Sequence, residues 1–198
     1  LEIRVGFTAD MAERNAQRTK EAALKSEPSS LTSTYPPTIR LFDENPSISD
    51  FDAQVIDCLE MDSVDEQGIS RTSWILILNR SAFYPESGGQ LGDRGTIGPA
   101  TIYDVRIENG VILHYADRPI NSGRVSGSVD GKRRLQISQH HSSVHVVGGS
   151  ARQILGPHVW QAGSFKNESL ARLDVTHYGR LSRTQLDQIE DHANEIVN

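Results

Sequence analysis

Two histidines four residues apart, His141 and His145, are the side chains best spaced for chemistry in this sequence. They fall in a stretch of helical period that begins near Arg134, so both imidazoles project from one side of a helix, one turn apart. Zinc-binding helices use this spacing. Zinc needs three or four protein ligands, however, and the remaining histidines show no companion spacing. Two unrelated polar histidines therefore remain the alternative.

A glycine-containing loop is the second candidate. Residues 82–90, AFYPESGGQ, directly follow the apolar run 74–78. Gly88 and Gly89 would let the backbone approach a ligand and offer exposed N–H groups, while Gln90 adds a side-chain donor and acceptor. Glu86 could serve as an acid or base. Taken alone, the loop is better explained as a turn at the end of a strand.

The elements that must position these residues fall into three parts. Residues 1–35 are predicted to be a helix over 8–25 and a Pro/Ser linker. Residues 36–130 have the pattern of short strands, with a buried strand at 74–78, a hairpin at Asn109-Gly110 and a strand at 125–129, and predict a small β-barrel-like domain. Residues 131–198 predict a helix, a strand at 171–175 and a second helix capped by Ser182 and Gln185. The predicted fold class is α+β.

Composition excludes several classes of protein. The chain has 198 residues, 36% of them hydrophobic, and no apolar run approaches the ~18 residues of a membrane-spanning helix. The one cysteine, Cys58, excludes a disulfide scaffold and, with no secretion signal at the start, predicts a cytoplasmic location. A first residue other than Met and a last residue inside a helical pattern predict a segment of a longer protein.

Positive charge is concentrated in one stretch, although the chain carries a net charge of −6. Residues 118–152 contain six basic side chains and one acidic one, which is the pattern expected of a phosphate-binding surface. Within it, Arg133 and Arg134 are the predicted contacts to a nucleic acid backbone. An ordinary solvated face is the alternative.

Together, the loop and the His-x-x-x-His helix resemble the editing region of alanyl-tRNA synthetase. The run Leu155–Ser164, LGPHVWQAGS, and the strand Arg172–Tyr178, RLDVTHY, are also similar to that family, and the first of them favours its archaeal type. The resemblance covers roughly residues 36–198. It implies zinc-dependent hydrolysis of the ester that joins serine or glycine to tRNA(Ala), since a pocket for alanine rejects these two amino acids poorly.

The resemblance also implies roles for individual residues. His141 and His145 match two of the four zinc ligands of the family, and the other two come from a later Cys-x-x-x-His beyond Asn198, so this chain is expected to bind zinc poorly and to be inactive alone. Gly88, Gly89 and Gln90 match the loop that lines the editing pocket. Ser142 occupies the position of a family threonine, whereas Val144 replaces a second one. The group that delivers the hydrolytic water stays open.

For the parent enzyme, the resemblance implies ligation of alanine to tRNA(Ala) with ATP and Mg, no membrane partner, and leaves homodimerisation through other regions open. Two alternatives remain. One is a free-standing trans-editing deacylase of the same superfamily, and the other is a tRNA-binding module without hydrolysis. A zinc hydrolase of the His-Glu-x-x-His type is excluded, because residues 142–144 are Ser-Ser-Val and supply no glutamate base.

Overall fold

The computed structural model describes Ile3, Val5, residues 32–64 and residues 70–198. The helix predicted over 8–25 and most of the linker lie outside the described residues. The described part begins with a 3₁₀ turn at Thr32–Thr34. There follow β1 (Ile39–Arg40), α1 (Leu41–Glu44), β2 (Asp50–Val64), β3 (Ser70–Leu78), β4 (Arg80–Ser81), β5 (Gly95–Ile97), β6 (Ala100–Glu108), β7 (Val111–Ala116), β8 (Gly123–Val129), α2 (Gly131–Leu155), β9 (Gln161–Lys166), β10 (Ala171–Val175) and α3 (Arg183–Val197).

Six antiparallel strands close into a barrel in the order β2-β3-β7-β6-β5-β8, because β8 pairs with both β5 and β2. The predicted α+β class is confirmed, and the predicted barrel-like domain corresponds to these six strands. The apolar run of β3 contributes to two cores. Leu76 and Leu78 pack inside the barrel, whereas Ile75 and Ile77 pack outside it against Val111 and Leu113. Both faces of this strand are therefore buried, which removes the alternation seen in half-exposed strands.

The β6–β7 hairpin turns at Asn109 and Gly110, as predicted. Asn109 has φ 49° and Gly110 has φ 80°, and Glu108 pairs directly with Val111. A two-residue hairpin with positive φ at both positions is the type I′ turn, whose twist matches that of the flanking strands.

Helix α2 begins where the barrel ends. The Asp130 side chain caps it by accepting a hydrogen bond from the Arg133 N–H. Ile137, Val144 and Ala151 are buried along its apolar face. Ala151 packs in a separate core with Val159, which precedes β9, and with Ile189 of α3. The antiparallel β9–β10 hairpin, which lies between α2 and α3 in the sequence, packs against α2. The barrel strands thus end just before residue 131, where the first long helix begins. A domain boundary there stays a prediction.

Three local predictions differ from the structure. Strand β9 was not predicted, since its sequence contains glycine and no regular alternation of apolar residues. The apolar spacing along α3 predicts one buried face made of Leu186, Ile189, Ala193 and Ile196. The first three are buried, but Ile196 is 55% exposed. Glycines at 148 and 149 inside a helical pattern predict either the close approach of another backbone or a bend in the helix. Among the described residues, the nearest outside atom to a Cβ at 148 belongs to the Leu173 side chain, so no backbone approaches there.

The capping box of α3 is confirmed, with Ser182 and Gln185 bonded reciprocally. Within the described residues, no helix has both the length and the apolar character required to cross a membrane.

Candidate functional site

The glycine loop is a tight two-residue turn. Ser87 and Gln90 exchange backbone hydrogen bonds of 3.1 and 2.9 Å, and Gly88 and Gly89 between them have φ values of 58° and 76°. Two successive positive φ values strain any residue with a Cβ, which accounts for the glycine pair. In the part of the chain that the structure describes, the N–H groups of these two glycines have no protein acceptor.

Strand β9 holds this turn from one side. The Lys166 N–H donates to the Gly89 carbonyl at 2.7 Å, and the Leu91 N–H donates to the Lys166 carbonyl at 3.2 Å. A Cβ at Gly89 would lie 2.1 Å from the Ser164 carbonyl oxygen, a distance that no packed side chain tolerates. The second glycine is therefore required by close backbone approach as well as by its φ.

The third residue of the loop reaches the histidine helix. Oε1 of Gln90 lies 2.9 Å from Nδ1 of His141, and Gln90 is only 6% exposed. Since an amide oxygen only accepts, the contact places the proton on Nδ1 and leaves the Nε2 lone pair of His141 available. The structure thus brings together the two motifs that the sequence singled out.

The histidine pair has the geometry of half a zinc site. The ring centroids of His141 and His145 are 5.2 Å apart. Two imidazoles on one tetrahedral zinc, at Zn–N distances of ~2.0–2.1 Å, have centroids separated by about 5 Å. The hydrogen bond that His141 donates to Gln90 is the kind of outer contact that fixes the tautomer of a metal-binding histidine.

No third ligand completes this pair within the described residues, where no cluster of three His, Cys, Asp or Glu side chains is found. Cys58 lies on β2 opposite Leu76, packed against the barrel core. It does not join the histidines. The two residues present therefore fit a zinc ion as two of four ligands.

Lys166 is a site residue that the sequence did not single out. Its ammonium group donates to the Gly88 carbonyl at 2.8 Å and to the Ser164 hydroxyl at 2.7 Å, and the residue is 2% exposed. Burial lowers the pKa of Lys166. Burial is also the main cause that lowers the pKa of His141, with smaller contributions from the positive charges of Lys166 and His145.

Arg133 and Arg134 do not form the exposed phosphate-binding surface expected from the charge pattern. Both are less than 10% exposed. The Arg133 guanidinium pairs with Glu168 at 2.7 Å and donates to the Gly92 carbonyl, while Arg134 pairs with Asp93. Arg134 also donates to the Ile48 carbonyl. The two arginines connect α2 to the barrel and to the segment after β9, and the expectation of an exposed patch at these residues is wrong.

Two of the four remaining basic residues of the stretch are also paired with carboxylates. Arg118 pairs with Asp117, and Arg124 pairs with Asp52. Ser142, a predicted substrate contact, is exposed on α2 and lines neither of the two clefts described below. His140, a neighbour of the pair that the sequence did not single out, has its Nδ1 2.7 Å from the Asn167 carbonyl and so connects α2 to the end of β9.

Two clefts flank the site. The first, of about 410 Å³, lies between the glycine loop, β6 and the β9–β10 hairpin. Its arginines are paired with carboxylates, as in Arg106 with Asp104 and Arg172 with Asp174. The second, of about 220 Å³, opens beside His145 and is bordered by Trp160 and Arg152. Neither cleft was predicted from the sequence, because each joins elements distant along the chain.

A second histidine pair also escaped prediction. Nε2 of His158 lies 2.9 Å from Nδ1 of His177, and the His158 ring stacks on Tyr178 with centroids 4.3 Å apart. The separation of 19 residues in sequence carries no periodic signal. The pairing arises because the segment before β9 and the one after β10 leave the hairpin side by side.

Comparison with known proteins agrees with these motifs. The sequence model of class II (A) tRNA synthetases matches residues 3–133, and the chain belongs to that family. Among its relatives, the chain is 43% identical to alanine–tRNA ligase of Natronomonas pharaonis over 82% of its length and 17% of the relative. It is 40% identical to that of Ignicoccus hospitalis over 83% of its length and 17% of the relative.

The match to alanine–tRNA ligase of Methanopyrus kandleri covers the whole chain at 37% identity and 21% of the relative. The chain thus spans about a fifth of the length of the curated relatives it matches. The predicted similarity to a part of archaeal-type alanyl-tRNA synthetases is confirmed.

Proposed function

We propose that this chain is the editing region of an alanine–tRNA ligase, where it hydrolyses the ester of tRNA(Ala) mischarged with serine or glycine. The single observation that carries the proposal is the hydrogen bond between Gln90 and His141. It joins a loop with unused N–H groups to a helix face with a free imidazole lone pair. Hydrolysis of an ester needs both a place for the developing negative charge and a polarised reaction centre.

The residues of the loop have separable roles in this proposal. The Gly88 and Gly89 N–H groups serve as donors to the ester carbonyl oxygen as it becomes negative. Gln90 orients His141 and fixes its tautomer. Lys166 donates a hydrogen bond to the Gly88 carbonyl, which holds in place the peptide group that also carries the Gly89 N–H. Each of these roles depends on a rigid turn, and the contacts of β9 supply that rigidity.

His141 and His145 would hold a zinc ion together with two ligands from outside the described residues. When bound, zinc supplies Lewis acidity toward a carbonyl or a water molecule. The exposed position of His145 leaves the metal side of the helix open to a substrate.

The activity of the whole protein is part of the same proposal. By similarity to its relatives, it would ligate alanine to tRNA(Ala) with ATP and Mg in the cytoplasm, and editing would remove the errors of that reaction. A free-standing trans-editing deacylase would share the site but lack the ligation activity. A tRNA-binding module would bind the same tRNA without hydrolysing its ester.

The three candidates are separated by one set of assays on the full-length protein. We expect it to charge tRNA(Ala) with alanine and to deacylate seryl-tRNA(Ala), and His141→Ala to abolish only the second activity. Gln139→Ala, an exposed change on α2 outside both clefts, is the matched control and should behave as the wild type. Deacylation without charging would indicate a trans-editing protein. Binding without deacylation would contradict the proposal and favour the binding module.

A further inference from the structure

The first cleft has two walls of similar chemistry. Strand β6 contributes Asp104 and Arg106 to one wall, and β10 contributes Arg172 and Asp174 to the other. Residues two apart on a strand project from the same face, so each strand presents a carboxylate and a guanidinium group side by side. Neither histidine of the zinc pair lines this cleft. Its chemistry is therefore separate from the proposed hydrolysis.

The two arginines use only part of their capacity for hydrogen bonding. Nε of Arg106 lies 2.8 Å from Asp104, and Nε of Arg172 lies 3.3 Å from Asp174. Among the described residues, the terminal amino groups of Arg106 and Arg172 have no acceptor. Nε of Arg172 is moreover buried and makes no hydrogen bond. Planar guanidinium ends of this kind bind a carboxylate or a phosphate through two parallel hydrogen bonds.

Glu86 brings the opposite charge to the same cleft. Its backbone is fixed to β6, because the Glu86 N–H donates to the Val105 carbonyl at 2.8 Å. In the part of the chain that the structure describes, its carboxylate makes no hydrogen bond or ion pair. The cleft thus offers an acceptor for a cation as well as donors for an anion.

The charges of the cleft are balanced. Its lining holds four arginines and three carboxylates, and a fourth carboxylate, Glu168, pairs with the lining residue Arg133. Surfaces that bind nucleic acid phosphates carry an excess of positive charge. Balanced but separated charges instead favour a ligand that carries one charge of each sign.

The size and the apolar part of the lining narrow the ligand further. The cavity of about 410 Å³ falls within the range of ~300–1,000 Å³ that is typical of sites for small molecules. Leu91, Tyr103 and Phe165 add apolar surface to the lining. An α-amino acid with an apolar side chain meets all three requirements, since it carries a carboxylate, an ammonium group and a hydrocarbon group.

We propose that the first cleft binds a free α-amino acid with an apolar side chain larger than that of alanine. Its carboxylate pairs with the terminal amino groups of Arg106 and Arg172, and its ammonium group pairs with Glu86. Its side chain lies against Leu91 and Phe165. The inference goes beyond the proposed function and does not depend on it, because binding here requires neither zinc nor hydrolysis.

Calorimetric titration of the full-length protein with leucine tests the site. Leucine is the probe because a pocket built for alanine excludes its larger side chain. We expect saturable 1:1 binding. Leucine methyl ester lacks the carboxylate and 4-methylpentanoate lacks the ammonium group, so each should bind at least about tenfold more weakly. Absence of leucine binding, or equal binding of all three compounds, would overturn the inference.

Substitutions then locate the binding in the first cleft. Arg172→Gln and Glu86→Gln should each weaken leucine binding at least about tenfold. Their matched controls, Arg124→Gln and Glu60→Gln, change exposed residues outside both clefts and should bind leucine as the wild type does. Glu86 is exposed, so its variant keeps the fold even if the Arg172 variant does not. Wild-type affinity in a folded Glu86→Gln protein would contradict the assignment.

Inorganic phosphate distinguishes an amino acid site from a general anion site. We expect phosphate at the same concentration to leave the affinity for leucine unchanged, because the carboxylates of the cleft repel a second negative charge. Displacement of leucine by phosphate would overturn the inference and indicate a phosphate site. None of these titrations involves seryl-tRNA(Ala), so their failure and a failure of the proposed hydrolysis are observed separately.

Discussion

Ser81 and His114 form a hydrogen-bonded pair inside the barrel, with Oγ of Ser81 2.7 Å from Nε2 of His114. Both residues are fully buried. The Nδ1–H of His114 donates to the Leu76 carbonyl at 2.9 Å, so Nε2 of the neutral ring accepts the Ser81 proton, while the Ser81 oxygen accepts from the Phe83 N–H. Neither residue lines either of the two clefts described above. This serine–histidine pair therefore satisfies buried polar groups and is not a nucleophile.

Burial of His114 predicts a pH-dependent stability. Desolvation lowers its pKa to about 4 in the folded state, against 6.5 when unfolded. Between these values only the unfolded chain binds the proton, so stability decreases as the pH falls. We expect the free energy of unfolding in urea to be about 2 kcal/mol smaller at pH 5 than at pH 7 from this group. His114→Gln should remove that difference, and an equal decrease in the variant would contradict the assignment.

The same glycine-to-alanine substitution should have opposite effects on stability in the glycine turn and in α2. Gly89→Ala should destabilise the protein and disorder the loop, because its Cβ would collide with the Ser164 carbonyl and its φ is positive. Gly149→Ala should stabilise it by up to about 1 kcal/mol, since the site is helical and no atom of the described residues lies within 4 Å of an added Cβ. Thermal unfolding of both variants tests this pair. Similar melting temperatures for the two would show that β9 does not lie against the turn.

The buried ion pair of Arg134 predicts a large effect on folding. Arg134→Met leaves Asp93 charged in a site where that side chain is 2% exposed, and such a loss typically costs about 3–5 kcal/mol. Arg124→Ala removes an arginine that is 76% exposed and should change stability by less than about 1 kcal/mol. Urea unfolding measures both. A mild Arg134→Met phenotype, with tRNA affinity reduced in a salt-dependent manner, would instead support the original phosphate-binding prediction.

The histidine pair predicts weak zinc binding by the 198-residue chain. Two imidazoles supply half of a tetrahedral shell, and Cys58 is held on the barrel. A chelator should therefore leave the melting temperature unchanged within measurement error. Adding a downstream Cys-x-x-x-His segment should make stability depend on zinc. Stoichiometric zinc that survives dialysis of the 198-residue chain would show that the pair has further ligands.

Local signals account for what the sequence predicted correctly. The turn at Asn109-Gly110, the strand at 171–175 and the capping box at Ser182 are each specified by a few consecutive residues. No local pattern connects Gln90 and His141, which are 51 positions apart, and only the resemblance of both motifs to one editing region indicated that they belong to the same site.

The predictions that failed depended on distant partners. Counting charge assumes that arginine is exposed, yet Arg134 is buried by Asp93, which lies 41 residues earlier. Lys166 carries no motif, and its role at the glycine turn follows from the path of β9. The contact between the Arg152 guanidinium and the Trp160 ring likewise joins the end of α2 to the residue before β9.

The central claim is that the glycine turn and the histidine helix form one hydrolytic site through Gln90. The most direct measurement is the rate of deacylation of seryl-tRNA(Ala) by the full-length protein and its Gln90→Ala variant, with alanine charging measured in parallel. The account predicts that the variant loses at least about tenfold in deacylation, since an orienting hydrogen bond to a charged or metal-binding group contributes about 1.5–3 kcal/mol, while charging is unchanged. Equal deacylation rates in the variant and the wild type would contradict it.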